Sequence, residues 1–163
     1  MTVSEAMKKM IGCANGNRHD VAHLLKVWGY ARTIGTLEKL DAHTQKVLEL
    51  TAIVHDISCP LCREKYGNTN GKYQELESPP LVEAFFAGTD VPAEDVKRIS
   101  YLVSHHHTYT DVEGMDYRIL LEADFLVNAD ESNYSPDAIQ NARNLFFRTD
   151  AGTALLDSIY LRN

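Results

Sequence analysis

The stretch Val47-Leu48-Glu49-Leu50-Thr51-Ala52-Ile53-Val54-His55-Asp56 is an apolar segment that ends in an imidazole and a carboxylate. Asp41 stands shortly before it and is of a residue type preferred as a helix N-cap. Burying His55 and Asp56 costs free energy unless both side chains find partners, and a divalent metal ion is one such partner. We therefore predict a helix that begins after Asp41 and carries a polar site at its end.

Composition limits the classes of partner. The chain has 163 residues, which is enough for one domain, residues 1–163, with a real hydrophobic core. Its net charge of −7 gives no sign of a positively charged surface that would neutralise phosphates, so we expect no nucleic-acid partner. A run of about eighteen apolar residues is lacking, so no membrane span is expected. The N-terminal residues lack a signal-peptide apolar region, which makes the cytoplasm the expected location, and nothing indicates an oligomeric state.

Helix signals dominate the chain, and no convincing period-two strand pattern occurs. We predict an all-α, single-domain bundle of seven or eight helices. The stretch Ile57–Ser78, rich in glycine, asparagine and charge, is predicted as a long loop, with Cys59 and Cys62 as small loop residues. Helices are predicted from about Val3 to Cys13, from near Asp20 to near Gly35, from Asp41 to Asp56, from Pro79-Pro80 to about Ala87, from Pro92 to Ser104, from about Tyr117 to Ala129, and from starts at Ser135 and Thr149.

Four metal-ligand candidates lie in three separate segments. His23 upstream and Asp124 downstream each lie on an apolar helical stretch of their own and join His55 and Asp56. Imidazole and carboxylate ligands suit Mn, Fe, Ni, Co or Zn better than Ca. Consecutive helical side chains point about 100° apart, so His55 and Asp56 can reach one ion only at a helix end or in a tight cleft. A bound ion would lower the pKa of its water and polarise a phosphoryl oxygen.

Three segments resemble the HD-domain superfamily of metal-dependent phosphohydrolases: His19–Val27, Ala52–Ile57 and Glu122–Leu126. They follow the order of the family's motifs and span most of the chain. The resemblance implies an all-α, HD-type helical bundle with one divalent metal ion (Mn, Fe, Ni, Co, Zn or Mg) as cofactor. It also implies the metal ligands, which are His23, His55, Asp56 and Asp124.

The chain departs from the family pattern at two positions. Ser58 stands where the family often has Gly after His-Asp-Ile, and Lys26 stands where many relatives carry Arg. The resemblance implies that the residue at position 26 faces the active-site cleft. We therefore expect Lys26 to contact substrate.

Further histidines are candidates for contact with substrate. His19 lies one helical turn before His23, so it can orient a ligand, touch substrate or simply belong to the helix start. The run His105-His106-His107 ends a helix, and its alternative role is that of a solvated helix end. We expect His105 or His106 in the cleft, as a phosphate contact or proton donor, and His107 at the periphery.

Two lysines of the predicted loop are the remaining substrate-binding candidates. Lys65 and Lys72 can meet substrate phosphates, and the neighbouring glycines can let backbone N–H groups approach them. The alternative is a solvated lid that makes no contact with substrate.

The leading interpretation is hydrolysis of a small phosphorylated metabolite, a nucleotide or another phosphate ester, with Asp56 as the catalytic residue. No histidine occurs between Asp56 and His105, which favours one ion over two. A di-iron oxygenase of the same fold is an alternative that needs two fully ligated irons. A non-catalytic, metal-stabilised nucleotide-binding module is the other alternative.

Overall fold

The computed structural model describes residues 1–162, which form α-helices without a β-strand in that range. The predicted all-α class is confirmed. None of the helices in the described residues is long and apolar enough to cross a membrane. The helices are α1 (Val3–Cys13), α2 (Arg18–Leu37), α3 (Ala42–Val54), α4 (Cys59–Tyr66), α5 (Gly71–Phe86), α6 (Ala93–His105), α7 (Met115–Glu131), α8 (Pro136–Leu145) and α9 (Asp150–Tyr160).

Side-chain caps define most helix starts. Asp41, Ser135 and Thr149 each accept backbone N–H groups of the following first turn, which lack partners inside the helix. The starts predicted at these three residues are confirmed. α2 begins at Arg18, slightly earlier than predicted, because the Asn17 side chain caps it.

The loop predicted over Ile57–Ser78 is wrong, because α4 and the first half of α5 lie within it. Pro60 falls in the first turn of α4, where its missing N–H costs little. Gly67, at φ 72°, ends α4 in a left-handed conformation that glycine adopts without strain. Asn70 then caps α5 by accepting the Lys72 N–H at 3.1 Å. The polar residues that indicated a loop are therefore a helix end and a helix start.

Pro79 and Pro80, predicted to start a helix, lie inside α5. Each proline removes one backbone donor, so the carbonyls of Glu75 and Leu76 lose their usual helical partners. Leu76 is 67% exposed, so this part of α5 faces solvent. Burial of Val82 and the two phenylalanines in the last turns keeps α5 attached to the core.

The core is arranged around α7, whose residues are buried almost all round the helix. α2 and α3 pack against α7 and against each other, and α6 packs on α3 and α5. This arrangement brings together His23 from α2, Asp124 from α7 and His55, which directly follows the last residue of α3. Three elements distant in sequence thus meet at one polar point inside an apolar core.

Candidate metal centre

The structure brings His23, His55, Asp56 and Asp124 together. His23 Nε2 lies 3.1 Å from His55 Nε2 and 3.3 Å from Asp124 Oδ1. His55 Nε2 lies 3.5 Å from the same Asp124 oxygen. Asp56 Oδ2 lies 3.5 Å from His23 Nε2 and 3.7 Å from His55 Nε2. The imidazole nitrogens and carboxylate oxygens therefore face one another at the spacing of ligands around a shared cation.

The outer nitrogens of the histidines are held by hydrogen bonds. His55 Nδ1 donates to the Ala52 carbonyl at 2.8 Å, and His106 Nδ1 donates to the Val103 carbonyl at 2.6 Å. A carbonyl can only accept, so each Nδ1 carries a proton, and Nε2 is the nitrogen left to bind an ion. Metal-binding histidines show this arrangement, because a partner on the outer nitrogen fixes the tautomer and the ring orientation.

Glu131 does the same for His23. Glu131 Oε2 accepts from His23 Nδ1 at 2.9 Å, and Glu131 Oε1 accepts from Lys26 Nζ at 2.7 Å. Lys26 therefore acts behind His23, through Glu131, and is not in the cleft as expected. Sequence reasoning missed Glu131, although it lies seven residues after Asp124 and hence on the same face of α7.

A second group of ligand atoms shares Asp56 with the first. Asp56, His106 and His107 offer ligand atoms within 4.8 Å of one another, as do His23, His55 and Asp56. His106 Nε2 lies 3.5 Å from Asp56 Oδ1. His106 Nε2 and His107 Nε2 are buried without a hydrogen-bond partner in residues 1–162. Buried polar atoms normally have partners, and a divalent ion fits here as the partner of both nitrogens.

The histidine run departs from prediction at one of its three positions, His107. His106 is buried at the centre, within the expected pair. His105 points elsewhere, because its ring stacks on Tyr101 and its Nδ1 donates to the Tyr101 carbonyl at 2.7 Å. His107, expected at the periphery, is packed between His106 and the start of α5, where a Cβ on Gly71 would come within 3.0 Å of its ring. Glycine at position 71 is thus what lets α5 approach this ring.

Charges in the centre stabilise one another. Burial disfavours a charged His23, but the carboxylates of Asp124, Asp56 and Glu131 outweigh it and raise the pKa of His23 to about 9. Burial likewise opposes ionisation of Asp124, yet His23 and His55 lower its pKa well below the ordinary value. The centre therefore favours positive charge at the point where the side chains converge.

A cavity of about 200 Å³ opens beside the centre. Arg63 lines it and forms an ion pair with Asp20. His19, with a side chain 73% exposed, also lines it and lies 3.6 Å from Glu131 Oε2. The other lining residues are His23, Asp56, Cys59, Thr69, Asn128, Glu131 and Ser132.

The two lysines expected to meet substrate do not line this cavity. Lys65 Nζ pairs with Glu77 at 2.6 Å, and Lys72 is exposed. Arg63 is the cation at the cavity instead, and sequence reasoning missed it because the segment was assigned to a loop. In α4, residues 59 and 63 are separated by about one turn, which brings Arg63 and Cys59 to the same cavity.

Cys59 and Cys62 are buried helical residues rather than small loop residues. Burial, followed by the charge of Asp56, raises the pKa of the Cys59 thiol. The Cys59 side chain therefore stays protonated near neutral pH and presents a neutral group to the cavity.

No protein-family model, curated protein or solved structure matches this chain. The chemical interpretation of the centre depends on its own residues and geometry.

Proposed function

We propose that this protein is a metal-dependent phosphohydrolase acting on a small phosphate ester or anhydride. One observation carries the proposal: two imidazole Nε2 atoms and two carboxylates converge in a buried site, with the outer nitrogen of each imidazole already hydrogen-bonded. Such a donor set suits Mn, Fe, Ni, Co or Zn. The resemblance of the three quoted segments to the HD-domain superfamily supports the same chemistry.

In this proposal His23, His55, Asp56 and Asp124 hold the ion. A divalent ion so held lowers the pKa of water and neutralises charge on a phosphoryl oxygen. Asp56 is the residue with most influence, because its Oδ2 faces His23 and His55 while its Oδ1 faces His106. Asp56 can therefore bind the ion through Oδ2 and accept a proton at Oδ1.

Residues outside the ligand set orient the ligands and bind the substrate in this proposal. Glu131 orients His23 through a 2.9 Å hydrogen bond. Arg63 offers a guanidinium at the cavity. A phosphate bound there would replace the Asp20 carboxylate as the acceptor of the Arg63 N–H groups. His106 Nε2, facing Asp56 Oδ1, can hold the proton that a leaving group requires.

The test is release of phosphate or pyrophosphate from a panel of nucleotides and phosphate esters, assayed with Mn, Co, Ni and Mg. We expect turnover by the wild type and loss of turnover in Asp56→Ala. Asp130→Asn is the matched control, since Asp130 is an exposed carboxylate on α7 outside the ligand set. Equal release by wild type and Asp56→Ala contradicts the proposal, and no release across the panel favours a nucleotide-binding module without turnover.

A di-iron oxygenase is the second candidate function, and the shared Asp56 is the observation that favours it. The two ligand groups overlap at this carboxylate, so two ions could be bridged by it. The expectation of a single ion depended on the sequence spacing of the histidines, whereas His106 and His107 lie beside Asp56 in space. Oxygen consumption by the iron-loaded protein, without phosphate release from the panel, would favour this reading.

A further inference from the structure

An aromatic pocket of about 620 Å³ lies between α7, α8 and the segment that follows α6. We define it by four rings, those of Tyr109, Phe125, Tyr134 and Phe146. Its volume is within the range of about 300–1,000 Å³ that is typical of small-molecule sites. Tyr109 and Tyr134 remain 44% and 39% exposed, so a molecule that covers their rings removes apolar surface from water. The aromatic pocket therefore favours an apolar ligand.

The rings of the aromatic pocket meet at angles that suit a planar ligand. Tyr109 and Phe146 are tilted by 38° at a centroid distance of 4.4 Å, and Phe125 meets Phe146 edge-on at 5.3 Å. Aromatic pairs prefer offset or edge-to-face arrangements, and these stabilise them beyond the area that they bury. A ring bound beside these side chains continues that pattern, whereas an alkyl chain does not.

A second pocket, of about 210 Å³, adjoins the aromatic pocket, because Tyr109, Leu145 and Phe146 line both. Arg118 and Arg148 line this second pocket, which we call the arginine pocket. A ligand whose ring lies in the aromatic pocket therefore has two cationic side chains beside it.

The arginines of the arginine pocket have charges that no carboxylate pairs with. Neither forms an ion pair within residues 1–162, whereas four other arginines do. Arg148 donates to backbone carbonyls at the end of α8, and the Arg118 guanidinium has no hydrogen-bond partner in the same range of residues. The Glu122 carboxylate is nearby, but it already accepts from the backbone N–H groups of Arg148 and Thr149 and from the Thr149 hydroxyl. Arg118 is therefore free to bind an anion.

We propose that the two pockets together bind a small aromatic carboxylate, with its ring in the aromatic pocket and its carboxylate on Arg118. A guanidinium presents parallel N–H donors that match the two oxygens of one planar carboxylate. The cavity beside the metal centre shares no lining residue with either pocket. This ligand site is therefore additional to the metal centre, and it depends on neither an ion nor the proposed hydrolase activity.

The experiment is a calorimetric titration of the protein with three probes: 2-naphthoate, its neutral amide 2-naphthamide, and octanoate. We expect 2-naphthoate to bind about tenfold more tightly than the amide, because a hydrogen bond between two charged groups is lost in the amide. Arg118→Gln should lose this preference by weakening 2-naphthoate alone. Arg18→Gln, at an exposed arginine that lines neither pocket, is the charge-matched control and should bind like wild type.

A second variant tests the aromatic pocket. Ala138 is exposed on α8 and lines the aromatic pocket, so Ala138→Phe is expected to fold and to occupy the space of the ligand ring. It should weaken 2-naphthoate and 2-naphthamide alike, by about tenfold, because burial of the ligand ring is lost. Ala84→Phe, at an exposed site on α5, is the matched control and should bind both ligands like wild type.

Four results would overturn the proposal of a ligand site. They are no binding of 2-naphthoate, equal affinity of wild type for 2-naphthoate and 2-naphthamide, octanoate binding as tightly as 2-naphthoate, and unchanged binding by Ala138→Phe. Arg118→Gln supplies two further contradictions. Unchanged 2-naphthoate binding by this variant would place the carboxylate elsewhere, such as at the metal centre, and equal weakening of acid and amide would give Arg118 a purely structural role.

Discussion

At the scale of single residues, the centre depends on groups that hold the ligand candidates as well as on the candidates themselves. Glu131 is the clearest case, because one oxygen accepts from His23 and the other from Lys26. Its burial opposes its charge, while Lys26 and His23 together lower its pKa below the ordinary value. Glu131 therefore stays ionised and holds a proton on His23 Nδ1, which leaves Nε2 as the nitrogen that would bind an ion.

Replacing this carboxylate gives a residue-scale prediction. Glu131→Gln keeps the shape but loses the charge, so the ring of His23 becomes less basic and less firmly oriented. We expect affinity for Mn²⁺ to fall about 10-fold, a typical effect of losing such an orienting partner. Competition with a fluorescent chelator measures it. Asp130→Asn, next to it on α7, should bind like wild type, and an unchanged affinity in Glu131→Gln would contradict this role.

At the scale of helices, local signals predicted the starts well and the interruptions poorly. Asp41, Ser135 and Thr149 identify helix starts because a cap is a contact within a few residues. Pro79-Pro80 misled, since long-range burial of the following turns keeps α5 continuous through a pair that breaks most helices. Arg63 was missed because the residues of α4 were predicted to form part of a loop.

The contact between α7 and the start of α9 gives an element-scale prediction. The buried Glu122 carboxylate accepts the Arg148 and Thr149 N–H groups at 2.7 Å and 3.0 Å, and a Cβ at Gly152 would collide with it. Gly152→Ala should therefore destabilise the fold by about 1–3 kcal/mol through overpacking.

Gly29→Ala is the matched control for that change. Gly29 is inside α2 with nothing within 4 Å of an added Cβ, so alanine should stabilise the protein by about 0.5–1 kcal/mol. Urea unfolding of both variants checks the pair. Equal effects of the two substitutions would show that Glu122 does not press on Gly152.

Alkaline pH tests the packing of α9 on α7. Tyr160 donates its hydroxyl to the Leu126 carbonyl at 2.6 Å, and burial raises the pKa of Tyr160 to about 12. An acid whose pKa is raised by folding contributes stability that is complete below its unfolded pKa, near 10, and is lost as the pH rises towards 12. Tyr160→Phe should thus lose less unfolding free energy than wild type between pH 9 and pH 11 in urea titrations. A larger loss in the variant contradicts the contact.

At the scale of the whole molecule, the chain brings together residues that sequence alone could only place in order. The four ligand candidates were identified because an imidazole or carboxylate on an apolar helix is costly without a partner. Their distances depend on how α2, α3 and α7 cross, and that depends on the whole core. The position of His107 could not be predicted from the sequence, because it depends on the close approach of Gly71 from another helix.

The central claim is that these helices build a divalent-ion site, and titration of the chelator-treated protein with Mn²⁺ by calorimetry tests it most directly. Asp124 is buried and faces both His23 and His55, so Asp124→Asn removes a ligand charge with little change in volume. We expect wild type and Asp130→Asn to bind at least one ion per chain with the same affinity, and Asp124→Asn to bind at least tenfold more weakly. Failure of the wild type to bind Mn²⁺, Co²⁺ or Ni²⁺, or equal binding by Asp124→Asn, would contradict the account.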